Sequence, residues 1–155
     1  LEALVVGGDA DHIQIELLSV FGALAVAFGG WVRKECYREM GKQFTFQVGI
    51  REGHKLVTTG PYAVVRHPSY SAALLVVIGI VCFHSSPGSW LRESGVLNTN
   101  TGRILVYGIT AILTIPVVML KRRWEKEDEM LRNEFGKQWN EWAKRVPCAV
   151  LPGVI

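Results

Sequence analysis

Ile104-Leu-Val-Tyr-Gly-Ile-Thr-Ala-Ile-Leu-Thr-Ile-Pro-Val-Val-Met-Leu120 runs for seventeen residues without a charge. At ~1.5 Å of rise per residue such a helix reaches roughly 25 Å, close to the hydrocarbon thickness of a bilayer. It is predicted to span a membrane. Pro116 is expected to kink it near its far end, since a proline inside a helix removes a hydrogen bond and crowds the preceding turn. Outward from this span the pattern repeats. Ile13–Val32 carries Gln14 and Glu16 at its start but no charge from Leu17 onward, and its Ala23/Ala27 and Ala25/Gly29 pairs have the four-residue spacing that lets membrane helices approach closely. Ser69–Phe83 is a second apolar run, short for a straight span. Between it and Ile104, Ser85–Gly102 reads as a loop from its Pro87-Gly88, Asn98, Asn100 and Gly102.

The composition agrees. Apolar residues make up 49% of 155 residues, the mean hydropathy is +0.21 despite 20% charge, and the apolar residues are clustered rather than periodic, as in a polytopic membrane protein. The length suits one domain, 1–155. A formal net charge of +3, with basic residues beside apolar runs, speaks for topology and lipid headgroups; no nucleic-acid module is present. Cys36, Cys82 and Cys148 lie far apart and share no ligand spacing with the four histidines, which argues against a metal site or a disulfide framework. The chain opens on Leu1, and residues 1–11 lack the pattern of a signal peptide, so it reads as a piece of something longer. The fold class expected is an all-α transmembrane bundle, with helices at about 13–32, 69–83, 104–120 and 122–144.

Basic residues orient it. The Arg33–Lys42 stretch, the Lys55–Arg66 loop and Lys121-Arg122-Arg123 share one side if the three apolar helices alternate, and the other side has only Arg92 and Arg103. The positive-inside rule puts the 54–70 loop and the C-terminus in the cytosol. Phe44–Val48 and Lys55–Thr58 are candidates for a short hairpin there.

That loop, His54-Lys-Leu-Val-Thr-Thr-Gly-Pro-Tyr-Ala-Val-Val-Arg-His-Pro-Ser-Tyr70, concentrates two histidines, two tyrosines and an arginine before an apolar helix. Pro68 suits the first helical position, where its missing N–H is no loss. The free donors of that turn would favour an anionic group. As plain structure, the stretch is a tight turn with interfacial aromatics. In the tail, Trp124, Leu131, Phe135, Trp139 and Trp142 form one helical stripe, which reads as an interfacial helix dipping tryptophans into headgroups. Arg123 and Glu127, four apart, are either a surface ion pair worth about 0.2–0.5 kcal/mol or the two ends of a polar site at the membrane border.

Together, His54-x-Leu-Val-x-x-Gly60-Pro-Tyr62, Arg66-His-Pro-Ser-Tyr70, Arg123-x-x-x-Glu127-Asp-x-x-Leu131, Phe135-Gly136 and Arg145-Val-Pro147 resemble, in order, the isoprenylcysteine carboxyl methyltransferases, within the integral membrane methyltransferases that include phospholipid methyltransferases. The resemblance covers roughly Gly30 to Pro152. It implies S-adenosylmethionine-dependent methylation of the C-terminal carboxylate of a prenylated cysteine in a processed protein, at the endoplasmic reticulum membrane. Carried over residue by residue, Gln47, His54, Lys55, Leu56, Val57, Tyr62, His67, Pro68, Ser69, Tyr70 and Glu127 match cofactor-contacting positions, and Arg123 matches the arginine associated with the substrate carboxylate.

No general base or metal is expected, because a carboxylate is already a nucleophile at neutral pH; positioning and desolvation are the expected sources of rate. Two departures stand out: family members generally carry further spans before the equivalent of Ile13, and Lys126 lies in a segment that is often more acidic. The alternatives are methylation of another amphipathic acceptor such as a phospholipid amine, and a catalytically silent membrane protein retaining the fold.

Overall fold

A computed structural model describes residues 12–43, 53 and 55–154. Among these, all regular structure is helical: α1 (Leu17–Met40), α2 (Pro68–Ser85), α3 (Trp90–Glu93), α4 (Asn100–Val118), α5 (Leu120–Phe135) and α6 (Lys137–Arg145), with short 3-10 turns at Gly41–Gln43, Gly60–Ala63 and Val96–Asn98. Three helical segments are long and apolar enough to cross a membrane: Leu17–Met40, Pro68–Ser85, and Asn100–Phe135, the last by virtue of its apolar first part. The chain is therefore an all-α membrane protein. Its residues gather into two compact units, Leu1–Phe28 with Leu74–Val117 and Gly29–Ala73 with Val118–Ile155.

In the first unit α1 and α2 meet backbone to backbone. A Cβ on Gly22 would sit 2.6 Å from the Gly79 carbonyl oxygen and 2.6 Å from the Phe83 nitrogen, and one on Gly79 would sit 2.7 Å from the Gly22 carbonyl oxygen. The contact point is thus Gly22, one residue before the alanine pairs that the spacing singled out; of those residues Ala25 is buried at 6% exposure. The stretch expected to be a plain loop contains α3 and the 96–98 turn, and Gly102 packs so closely on the latter that a Cβ would meet the Val96 carbonyl oxygen at 2.1 Å. Along α4 the apolar side chains face outward, with Ile104 72% and Ile112 70% exposed, as lipid-facing residues are.

In the second unit the far half of α1 supplies Val32, Cys36 and Met40, spaced four apart, to a cluster with Tyr62, Trp142, Val146, Leu56, Val57 and Trp139. This is why α1 runs eight residues beyond the expected end at Val32. Its charges are absorbed along its sides, Arg33 donating to the Tyr37 hydroxyl and Arg38 pairing with Glu35.

The tail also departs from expectation. Instead of one helix over 122–144 there are two, separated at Gly136, whose φ of +48° is a conformation that side chains with a Cβ rarely adopt. The preceding helix is interrupted at Met119, three residues beyond Pro116, which itself remains inside α4. Two tryptophans of the stripe are not headgroup anchors: Trp142 is 2% exposed in the protein's own core, and Trp139 packs against that core. Lys55–Thr58 forms no strand, and its expected partner Phe44–Val48 lies outside the described residues.

Candidate active site

The second unit builds its site from three pieces: the 60–70 segment, one face of α5, and the chain after α6. Gly60, at φ +58°, starts the first piece; a Cβ there would meet the Glu39 side chain at 2.8 Å, and Thr59 Oγ1 donates to Glu39 Oε2 at 2.7 Å. The turn that follows buries Tyr62, whose carbonyl accepts the Trp142 indole N–H at 3.2 Å. Burial pushes the Tyr62 phenol well above its usual range, so it is a neutral hydroxyl at physiological pH.

Next, the backbone N–H groups of Arg66 and His67 donate to the carbonyls of Cys148 and Ala149 at 3.0 and 2.8 Å, and the Ser71 hydroxyl donates to the Val150 carbonyl. The post-α6 segment is thereby strapped along the entrance to α2. Pro68 is the first residue of α2 and fully buried. The Tyr70 and Ser71 N–H groups bond to the His67 carbonyl at 3.0 and 3.3 Å. Two of the donors expected to favour an anion are thus engaged within the turn.

His67 lies between two neighbouring carboxylates of α5. Its Nε2 is 3.0 Å from Asp128 Oδ1, and its Nδ1 is 3.6 Å from Glu127 Oε2. The His67 ring stacks on Tyr70, with centroids 5.5 Å apart and planes 19° from parallel. Tyr70 in turn donates its hydroxyl proton to Glu127 Oε2 at 2.8 Å and accepts from Arg123 Nε at 3.0 Å. Arg123 and Glu127, one helical turn apart, are therefore bridged by a tyrosine hydroxyl that belongs to another helix.

On the other side of His67, Arg66 donates from Nε and Nη2 to Asp128 Oδ2, both at 3.1 Å, and from Nη1 to the carbonyls of Val146 (3.2 Å) and Pro147. Burial alone would raise the Asp128 carboxyl, but the hydrogen bond from His67 and the Arg66 guanidinium outweigh it and hold the group below its ordinary value. Two guanidinium groups approach the Trp139 ring, those of Arg66 at 6.0 Å and Arg132 at 5.8 Å from its centroid, and its buried indole N–H has no acceptor.

Of the positions expected from sequence, Tyr70, Arg123 and Glu127 share one hydrogen-bonded bridge, and His67 lies against it, stacked on Tyr70 with Nδ1 3.6 Å from Glu127. Pro68 starts the helix that carries Tyr70, and Ser69, in the same turn, is half-buried. Tyr62, Leu56 and Val57 belong to the apolar cluster, while Lys55 is exposed with its backbone N–H on the Gln43 side-chain oxygen. Gln47 and His54 lie outside the described residues. Arg66 and Asp128 stand inside the quoted motifs, each beside a residue with an expected role, but have no expected role of their own. Only the fold shows that they pair across 62 positions of sequence.

Comparison with known proteins points to a family. The sequence profile of the family described as "Phospholipid methyltransferase" matches residues 17–106, more than half of the chain. Among curated proteins, the chain is similar to protein-S-isoprenylcysteine O-methyltransferase B of Arabidopsis thaliana, 33% identical over 137 residues, which are 86% of this chain and 59% of that protein. It is likewise similar to the protein-S-isoprenylcysteine O-methyltransferase of Homo sapiens, 32% identical over 139 residues, 88% of this chain and 42% of the relative. The chain thus spans about half the length of the curated relatives it matches. No solved structure matches it. Three apolar helices, a network of tyrosine, histidine, arginine and glutamate against their charged continuation, and these matches lead to one conclusion: the chain belongs to the family of integral membrane methyltransferases that includes the phospholipid and isoprenylcysteine methyltransferases.

Proposed function

We propose that the chain is the methyl-transferring part of an S-adenosylmethionine-dependent enzyme that esterifies the C-terminal carboxylate of a prenylated cysteine, working at the cytosolic face of the endoplasmic reticulum membrane. The observation that carries this reading is the Arg123–Tyr70–Glu127 bridge, which sets a cation and an anion on either side of one hydroxyl where a charged helix continues an apolar one. The names of the relatives above supply the acceptor class.

The donor set fits the methionyl end of such a cofactor. Glu127 keeps 28% of its side chain exposed and is a natural partner for an ammonium, with Tyr70 and His67 beside it. When bound, S-adenosylmethionine supplies an activated methyl group on a sulfonium. The rest is positioning by this chain. Arg123 would receive the acceptor carboxylate by charge-assisted hydrogen bonds, and Tyr70, anchored on Glu127, would hold the guanidinium in place. The strapped entrance of α2 would keep these groups rigid, which is where the proximity contribution arises.

A second reading, an amphipathic lipid amine as acceptor, draws on the description of the family profile; an amine leaves Arg123 without a carboxylate to bind. The deciding experiment is transfer of labelled methyl from S-adenosylmethionine in membranes containing the full-length protein, with a farnesylated cysteine analogue and phosphatidylethanolamine run side by side. Base-labile label on the cysteine analogue alone is the expected result. Label confined to the lipid would move the assignment to the second reading, and no transfer to either would overturn both.

A further inference from the structure

His67 meets two carboxylates in unequal ways. Asp128 Oδ1 is within hydrogen-bond distance of Nε2 at 3.0 Å, whereas Glu127 Oε2 is 3.6 Å from Nδ1, beyond the range of a hydrogen bond. Asp128 is held ionised, so it has no proton to give and the proton of that bond must reside on Nε2.

Each carboxylate also has a partner away from the ring. Asp128 has the Arg66 guanidinium on its other oxygen, and Glu127 is linked through Tyr70 to Arg123. A neutral imidazole with its proton on Nε2 presents a lone pair on Nδ1, so Nδ1 and Glu127 Oε2 are two acceptors side by side, neither able to satisfy the other. The ring cannot turn away, because it is 5% exposed and stacked on Tyr70.

We propose that Asp128 is a positioning residue of this site: it keeps the His67 proton on Nε2, so that Nδ1 and Glu127 form a two-acceptor pair that takes a cationic group with several N–H donors. Resting on the reading of the chain as an S-adenosylmethionine-dependent enzyme, this group is the ammonium of the methionyl portion, which has donors for both. With its two oxygens engaged by His67 and Arg66, Asp128 would act through His67, as the partner of a ligand-binding histidine commonly does.

The test begins with the wild-type full-length protein in lipid, selectively 15N-labelled at histidine, with the His67 signals identified by their loss in His67→Gln. The expected spectrum at neutral pH is a neutral ring protonated at Nε2. A ring protonated on both nitrogens, or on Nδ1 alone, overturns the proposal without any variant having to fold.

Variants then separate positioning from support. Asp128→Asn should change the tautomer signal and weaken binding of S-adenosylhomocysteine about tenfold, the scale of one hydrogen bond to a charged group. It should leave binding of an analogue lacking the amino group unchanged relative to wild type. Asp128→Glu should restore both the tautomer and the affinity. Arg66→Gln, which breaks the ion pair but spares the His67 contact, should keep the Nε2–H signal. Equal losses for both ligands in Asp128→Asn, or the same tautomer in every variant, would mean that Asp128 only supports the fold. A wild-type protein that binds no S-adenosylhomocysteine would overturn the functional reading and the ligand part of this proposal, while the tautomer spectrum would still decide what Asp128 does.

Discussion

At the scale of residues, the site separates two kinds of tryptophan and two kinds of charge. Trp142 donates its indole N–H to the Tyr62 carbonyl, whereas the buried N–H of Trp139 has no acceptor. Trp142→Phe should therefore destabilise the protein by about 1–3 kcal/mol, the cost of leaving a buried carbonyl unpaired, and Trp139→Phe by clearly less, since it removes a donor that is already unsatisfied. Unfolding of both variants in detergent measures the difference. Arg123 and Glu127 should differ in function in the same way. Arg123→Ala is expected to raise the KM for the acceptor more than it weakens cofactor binding, and Glu127→Ala to do the reverse. Equal effects on both ligands would remove the division of labour between them. The motif spacing made Arg123, Glu127, His67 and Tyr70 legible as candidates. It put Arg66 and Asp128 in the same motifs but gave no sign that they pair, because an ion pair between residues 62 apart has no local signature.

At the scale of elements, close helix approach depends on what lies opposite each small residue. A Cβ on Gly22 meets backbone atoms of α2, which have no rotamer to adjust, while one on Gly30 meets nothing within 4 Å. Gly22→Val should cost about 1–3 kcal/mol or more by forcing α1 and α2 apart. Gly30→Ala should be neutral or stabilise by up to about 1 kcal/mol, since alanine is the better helix former. Thermal unfolding in a common detergent distinguishes these outcomes, and equal effects at the two glycines would contradict the observed crossing. Four-residue spacing identified a surface of small residues on α1, but which of them faces a neighbour depends on the rotation of both helices. The end of α1 was misread for a related reason. Arg33, Lys34 and Arg38 look like the end of a span, yet Val32, Cys36 and Met40 continue a buried stripe on another face of the same helix.

At the scale of the whole molecule, the distribution of basic residues makes a topological prediction. In microsomes whose cytosolic face is outward, Glu134→Cys should react with a membrane-impermeant maleimide, and Asn98→Cys should react only after permeabilisation, each tested with the three native cysteines replaced. Both positions are exposed in the structure. The reverse pattern would place α5 and its carboxylates in the lumen and overturn the cytosolic assignment.

The sequence by itself determined that the chain is helical and membrane-spanning, because uncharged runs of this length must hydrogen-bond their own backbone in a lipid environment. It also determined which short motifs could carry chemistry, since helix starts and one-turn spacings are local properties. Tertiary structure decided the rest. It turned Trp139 and Trp142 from expected lipid anchors into core, placed the Tyr70 hydroxyl between Arg123 and Glu127, and set His67 between two adjacent carboxylates. An amphipathic stripe has the same periodicity whether lipid or protein covers it, and the partner of a buried charge is chosen by packing between segments that are distant in the chain.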